Sequence, residues 1–407
     1  MVDSLGAGRR LRLSKARKLS ALIGVAGLLL AAGACGDGEG DGDQAAGPVN
    51  DAYTQQAASL IKSGTSGMLY FEGAEKDITL DKIKVYEDWS GPTQSVKPAA
   101  GAKINVIVCS IGTSCEEVGK KVQSIAQGLG WTAEILDGQG SPEGFQKAFA
   151  TAAANKPDAV ITIAIPENQV ADGVAELHKA SIPVVGVSAV DEGGAVGFDA
   201  HVSSRETFQS VLEVTKAIAD SGGKAKAVFL WDVGYPHLVE ALNTSKKVFE
   251  GCTGCQLLEV RERTLKQALD PIEMQNITTS LLQKYGNDLQ YIFTPYGNGV
   301  ESITAALQAA GRTDVKVMSK NAEPERLAAV AKGTQFADFG AVRGWNAYAA
   351  VDQVNRLLAK QEPLPDAEQG IPATVFDKSN APQDGKVNWD SYVNYAERYT
   401  QMWSAAQ

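Results

Sequence analysis

Between residues 103 and 130 the chain reads KINVIVCSIGTSCEEVGKKVQSIAQGLG, a strand, a loop and a helix start in immediate succession, and this unit restricts the fold more than any other stretch. Residues 104–109 form a near-continuous apolar run rich in β-branched side chains, the pattern of a strand buried on both faces of a parallel sheet. Ser110 to Thr113 is small and polar with one glycine, and Ser114 followed by Glu117 forms a capping box that opens a helix. Val118, Val122, Ile125, Ala126 and Leu129 then share one helical face. Such a loop lies at the carboxyl end of its strand, where open α/β sheets bind ligands, so Ser110 and Thr113 are candidate ligand residues.

The same unit recurs. Strands are expected at 132–136, 159–165 and 183–188, separated by helices starting near Ser114, Ser141-Pro142 and Glu167. After 198–202 the pattern begins again, with a capping box at Ser203 and Glu206, a helix start at Asp270-Pro271 with Glu273, and strands at 225–231, 256–260, 289–293, 315–319 and 336–339. Alternating strands and helices build parallel sheets covered on both faces, and two series of similar length imply two doubly wound α/β lobes. A chain of 407 residues is long enough for both. Residues 51–102 read as an extension that packs against a lobe, with a helix near 51–62, extended pieces at 67–73 and 78–86, and an irregular lead through Trp89, Gly91, Pro92 and Pro98. At the other end a helix is expected at 344–360, a strand at 371–376 and a last helix at 387–405. The aromatic stripe Trp389, Tyr392, Tyr395, Tyr399 and Trp403 in that helix reads as packing.

The first 34 residues combine a basic segment (Arg9, Arg10, Arg12, Lys15, Arg17 and Lys18) with an apolar run, as a secretory signal peptide does. Ala32-Gly33-Ala34-Cys35 is similar to a lipobox, which makes Cys35 the lipidated residue and the mature N-terminus. An uncleaved anchor helix is disfavoured, because the run falls short of the ~20 residues a span needs. Arg9-Arg10 also fits a twin-arginine signal, so the export route stays open. Residues 35–50 are acidic and glycine-rich and read as a flexible tether. Asp37, Glu39 and Asp41 imitate the start of a calcium loop, but Pro48 occupies the position of the closing glutamate. Loss of the signal leaves 32 basic and 47 acidic residues, a net charge of −15 that opposes nucleic-acid binding. Cys109, Cys115, Cys252 and Cys255 remain, an even number suited to disulfides in an oxidising space; a thioredoxin-like redox pair at Cys252-Cys255 is disfavoured because it follows a helix.

Residues 129–166, 178–189 and 291–319, including the Ile-Pro-Val-Val strand at Ile182 to Val185, resemble the type I periplasmic binding proteins of ABC transporters, in the branch that binds sugars such as ribose. The resemblance covers roughly residues 103–381. It implies two α/β lobes joined by three hinge crossings near 198–202, 341–342 and 371–373. Lobe one would be 103–200 plus 342–372, lobe two 201–341 plus 373–381, followed by a C-terminal helix over 382–407. It further implies a small-molecule ligand held between the lobes, a permease partner, no cofactor and a monomer.

By position, the resemblance carries ligand contacts to the loops after successive strands. The first loop lacks the aromatic pair of ribose binders, and Ser188-Ala189 stands where the family has an aspartate and an arginine. On lobe two the candidates are Trp231, Asp232, Tyr235, His237, Tyr296, Asn298 and Asn321, joined by Arg343 and Trp345 at a hinge. Flat aromatic faces with Asp, Asn and Arg suit a hydroxylated ring, a sugar or polyol. Arg343 keeps a carboxylated solute open, and a nucleoside or signal molecule is a further alternative. A membrane sensor kinase remains an alternative partner to the permease. The three histidines, His178, His201 and His237, lie far apart in sequence, and no Gly-x-Ser-x-Gly, Walker or paired-histidine metal motif occurs, so neither an enzyme nor a metal site is expected.

Overall fold

A computed structural model describes residues 52–189, 197–365 and 368–406. The signal peptide, Cys35 and the tether lie outside the described residues.

The extension supplies α1 (Ala52–Ser66), β1 (Leu69–Tyr70) and β2 (Lys84–Val85). Lobe one then runs β3 (Lys103–Val108), α2 (Ser114–Gly128), β4 (Thr132–Asp137), α3 (Pro142–Asn155), β5 (Ala159–Ile163), α4 (Ala171–Lys179), β6 (Val184–Val187) and β7 (Ala200–Val202). Its strands form a parallel sheet in the order β4-β3-β5-β6-β7. The apolar run of β3 is buried on both faces: Ile104, Val106 and Val108 join one core cluster and Ile107 joins another. That division is the two-sided burial a continuous apolar strand requires.

Lobe two comprises α5 (Glu206–Asp220), β8 (Lys226–Trp231), α6 (Pro236–Glu250), β9 (Gln256–Glu262), α7 (Leu265–Ala268), α8 (Pro271–Tyr285), β10 (Tyr291–Phe293), α9 (Val300–Ala309), β11 (Lys316–Lys320), α10 (Pro324–Lys332) and β12 (Ala337–Ala341). The chain continues through α11 (Arg343–Leu358), which packs on α2 and β6 of lobe one, returns as β13 (Ala373–Asp377), and ends in α12 (Tyr395–Ala405). The second sheet has the order β2-β1-β13-β12-β11-β10-β8-β9, parallel from β12 to β9 and antiparallel where β13, β1 and β2 are added.

Among the described residues the chain passes between the lobes five times. Three passages follow β7, β12 and α11, and the extension and the C-terminal segment add one each. Strands β1 and β2 belong to the lobe-two sheet, whereas residues 90–99 lie along α11. There the Ser95 hydroxyl donates to Asp352, and Asn355 donates to the Val96 carbonyl at 2.6 Å. Trp89 stacks on Trp345 with ring centroids 4.4 Å apart. Gly370, at φ +65° before β13, meets the Ser90 main chain so closely that a Cβ would lie 1.9 Å from its carbonyl oxygen.

Several local expectations change. The cap of α2 is Thr113, whose hydroxyl accepts from Cys115 N, one residue before the expected Ser114. Helix α5 has no Ser203–Glu206 capping box. Instead Glu75 of the extension accepts from Thr207 N at 3.0 Å and Phe208 N at 3.2 Å, and takes the Ser203 hydroxyl at 2.5 Å. Glu75 also faces the buried Arg205 at 3.5 Å, which donates to the Ile371 carbonyl at the third hinge. The last helix starts at Tyr395 rather than near 387, because residues 378–394 form turns and a short 3-10 segment. From the stripe, Tyr395, Tyr399 and Trp403 pack with Tyr348 and Trp345 of α11, Trp389 packs on Phe376, and Tyr392 remains exposed.

Candidate functional site

The loops at the carboxyl ends of both sheets face each other across a cleft enclosing about 1170 Å³, part of it open to solvent. On lobe one, Cys109 and Cys115 are joined by a disulfide of 2.05 Å, which closes the loop after β3. Within it the Thr113 hydroxyl donates to the Ser110 carbonyl at 2.7 Å, and Ile111 N donates to Asp137 at 3.1 Å. Ser110, Thr113 and Ser114 therefore reach the cleft from a loop of fixed course. Ser188, after β6, touches the Ser204 hydroxyl, and both line the cleft. The second disulfide, Cys252–Cys255, staples the turn before β9 away from the cleft.

On lobe two the cleft is lined by Ser204, Glu206, Gln209, Tyr235, His237, Leu238, Leu265, Leu269, Pro295, Tyr296, Asn298, Asn321 and Glu323, with Ala341 and Arg343 at the hinge. Glu206 is seated by Lys320, whose ammonium, fully buried, lies 2.9 Å from its carboxylate and donates to Ser210 at 2.8 Å. Beside Lys320, burial pushes the Glu213 carboxyl well above its ordinary range, although Lys320 and a bond from Thr294 N pull the other way. Burial lowers the His237 imidazole to about 4, so the ring is neutral at ordinary pH. Glu323 is raised by desolvation, with Arg343 and Arg326 opposing. Behind Asn321, Asp338 accepts from Ala322 N and Ser319, yet burial raises it to about 7.

Of the twelve ligand candidates, nine line this cleft: Ser110, Thr113, Ser188, Tyr235, His237, Tyr296, Asn298, Asn321 and Arg343. Three do not. Trp231 is completely buried, donating to the Leu238 carbonyl at 2.8 Å with Lys320 above its ring. It ends the alternating series Ala227, Phe229, Trp231 that faces one core layer. Trp345 is likewise fully buried, between Trp89 and Tyr395. Asp232, 2% exposed, holds the Tyr296 hydroxyl at 2.8 Å and Gly234 N at 2.9 Å, so it positions the tyrosine from behind. The stacking tryptophans expected from the sequence are core residues.

Arg343 is engaged by Glu117 at 3.2 Å and donates to the Asn321 carbonyl across the hinge. Sequence reasoning missed Ser204, Glu206, Gln209 and Glu323 as site residues. The usable signal was the position of α5: a helix that starts as the chain leaves the first crossing turns its first-turn residues, here three apart, toward the cleft. Asn321 stands at φ +87° with its main chain tied to Phe339 and Gln209, while its side-chain amide has no partner among the described residues.

A family model described as periplasmic binding protein domain matches residues 104–362. The chain belongs to that family. Comparison with curated proteins returns no match. Among solved structures, an ABC sugar transporter subunit from Rhodobacter sphaeroides 2.4.1 is 22% identical, with a TM-score of 0.59 over 69% of this chain and 99% of the other. A glucose-galactose binding protein from Geobacillus stearothermophilus is 16% identical, with a TM-score of 0.62 over 70% and 100%. An ABC transporter solute binding protein from Agrobacterium vitis, with bound allitol, is 19% identical, with a TM-score of 0.59 over 69% and 97%. At such identities these likenesses establish the fold. Among the described residues no helix is long and apolar enough to cross a membrane.

Proposed function

We propose that the protein captures a small, neutral, hydroxylated solute, a sugar or polyol, between its lobes and delivers it to an ABC transporter permease outside the cytoplasm, held to the membrane by lipid on Cys35. The observation that carries this reading is the ring of hydroxyl and amide groups around one cleft: Ser110, Thr113, Ser188, Ser204, Gln209, Asn298 and Asn321. The side-chain amides of Asn298 and Asn321 have no partner among the described residues, whereas Thr113, Ser188, Ser204 and Gln209 already hold protein partners and keep only part of their bonding capacity; all match a hydroxyl rather than a formal charge. A carboxylate solute is disfavoured, because Arg343 is already paired and Glu206 and Glu323 line the same space. The lobes close by hinge motion, which excludes water and strengthens each polar contact. A binding role rather than a catalytic one fits the separated histidines: His178 pairs with Asp199 at 2.9 Å, His201 lies beside Phe198, and His237 lies beside Tyr235 in the cleft.

A thermal-shift screen of sugars, polyols, nucleosides and small acids tests the solute class, since a ligand at 100 times its dissociation constant adds about 2.7 kcal/mol of stability. Stabilisation by neutral hydroxylated members is expected, and stabilisation by acids alone would overturn the assignment. For the anchor, Cys35→Ser should release the protein from membranes; retention at the wild-type level would refute lipidation there.

A further inference from the structure

The cleft is not uniform from hinge to mouth, and the sheet orders give the direction of the change. The three hinge crossings leave β7 of lobe one, leave β12 of lobe two and return from α11 into β13, so β4 and β9 mark the edges farthest from them. Next to the hinge side stand groups such as Gln209 and Asn321. At the far edge of lobe two the lining turns aliphatic: Leu265 and Leu269 follow β9, next to Tyr235 and the almost wholly buried Leu238 after β8, and on lobe one the almost wholly buried Phe145 follows β4. Leu265 and Leu269 are four residues apart at α7 and its end, so they present one apolar face. Leu269 is 62% exposed, an unusual state for a leucine on the wall of a binding site.

A free monosaccharide presents hydroxyls around its whole ring. Placed against this far wall, those hydroxyls would lose water and gain no partner, which is unfavourable. Trp231 and Trp345 are buried in the cores, which leaves Tyr235 and Tyr296 as the partly exposed aromatic rings at the cleft, the latter with Arg263 over its ring. Resting on the sugar or polyol reading above, we propose that the solute is a glycoside, with a hydroxylated head held at the hinge side and an apolar aglycone laid along Leu265 and Leu269.

Calorimetry on the full mature chain with matched pairs tests this: D-glucose, D-galactose and D-xylose, each against its p-nitrophenyl β-glycoside. At least one glycoside should bind tenfold or more tighter than its parent sugar. Leu269→Ser, at an exposed position that folding does not need, should weaken that glycoside at least fivefold and change the parent sugar less than twofold. Parent sugars that bind as tightly as their glycosides would overturn the proposal while keeping the sugar reading, and would mean that the far walls close on each other. Binding by neither member of any pair, with acids or bases bound instead, would overturn both. A glycoside preference that Leu269→Ser and Leu265→Asn leave intact would also overturn the placement.

Discussion

Lobe one meets the cleft with short loops whose course is held by main-chain bonds and one disulfide, whereas lobe two meets it with longer side chains seated on buried charge. Ser110 and Thr113 owe their places to the Cys109–Cys115 bond and a helix cap. Glu206 and Gln209 owe theirs to Lys320, to a buried Glu213 and to the turn at Asn321. A covalent staple is indifferent to pH and sensitive to reductant. A buried ionic cluster has the opposite sensitivities. One ligand site thus rests on two supports that fail under different conditions, and each support can be removed separately.

The largest effect is expected on lobe two. Lys320→Met leaves Glu206 without its partner in a nearly closed environment, and breaking such a pair costs about 3–5 kcal/mol. Urea unfolding measures it; a loss below about 1 kcal/mol would show that the cluster does not support the lobe. Replacing both Cys109 and Cys115 by serine frees the short lobe-one loop. Loop-closure entropy for so short a ring gives a loss of about 2 kcal/mol. Reductant should cost the wild type about that much more than it costs the variant, which keeps Cys252–Cys255, and an equal response of both would assign the sensitivity to Cys252–Cys255.

A smaller effect separates the lobes by pH. Burial holds His237 down to about 4, against 6.5 for a free imidazole. A base lowered on folding contributes stability that is complete above about pH 6.5 and is lost as the pH falls toward 4. Wild type should therefore lose about 1–2 kcal/mol more than His237→Gln between pH 7 and 4.5, the ring's partial access to solvent trimming the full shift. Asp338, raised to about 7, acts with the opposite sign but is common to both proteins and cancels in the difference. Equal slopes would contradict the burial of His237. The smallest effect is that of Ser110→Ala, which removes one hydroxyl from the pinned loop: solute affinity should fall by about 1 kcal/mol with stability unchanged.

Much of this arrangement was legible because parallel strands buried on both faces are long apolar runs, and because the following loops announce themselves with Gly, Ser and Asp. What could not be read is what depends on remote partners. Glu75 caps α5 from more than 130 residues away, and Trp345 is buried by Trp89, whose segment has no periodic pattern. Trp231 was misread although its signal was present: with Ala227 and Phe229 it forms one face of a strand, and that face points into the core. Trp231→Ala therefore tests the fold, since it would empty a packed site, and says little about the ligand.

Titration calorimetry of the sugar and polyol panel into wild-type and Asn321→Gly protein tests the central claim most directly. Glycine keeps the left-handed turn at φ +87° and its main-chain bonds, and removes only the amide that faces the cleft. A neutral hydroxylated solute should bind the wild type near micromolar, about −8.2 kcal/mol, and the variant at least tenfold more weakly at an unchanged melting temperature. Unchanged affinity in the variant, or binding of carboxylates alone, would contradict it.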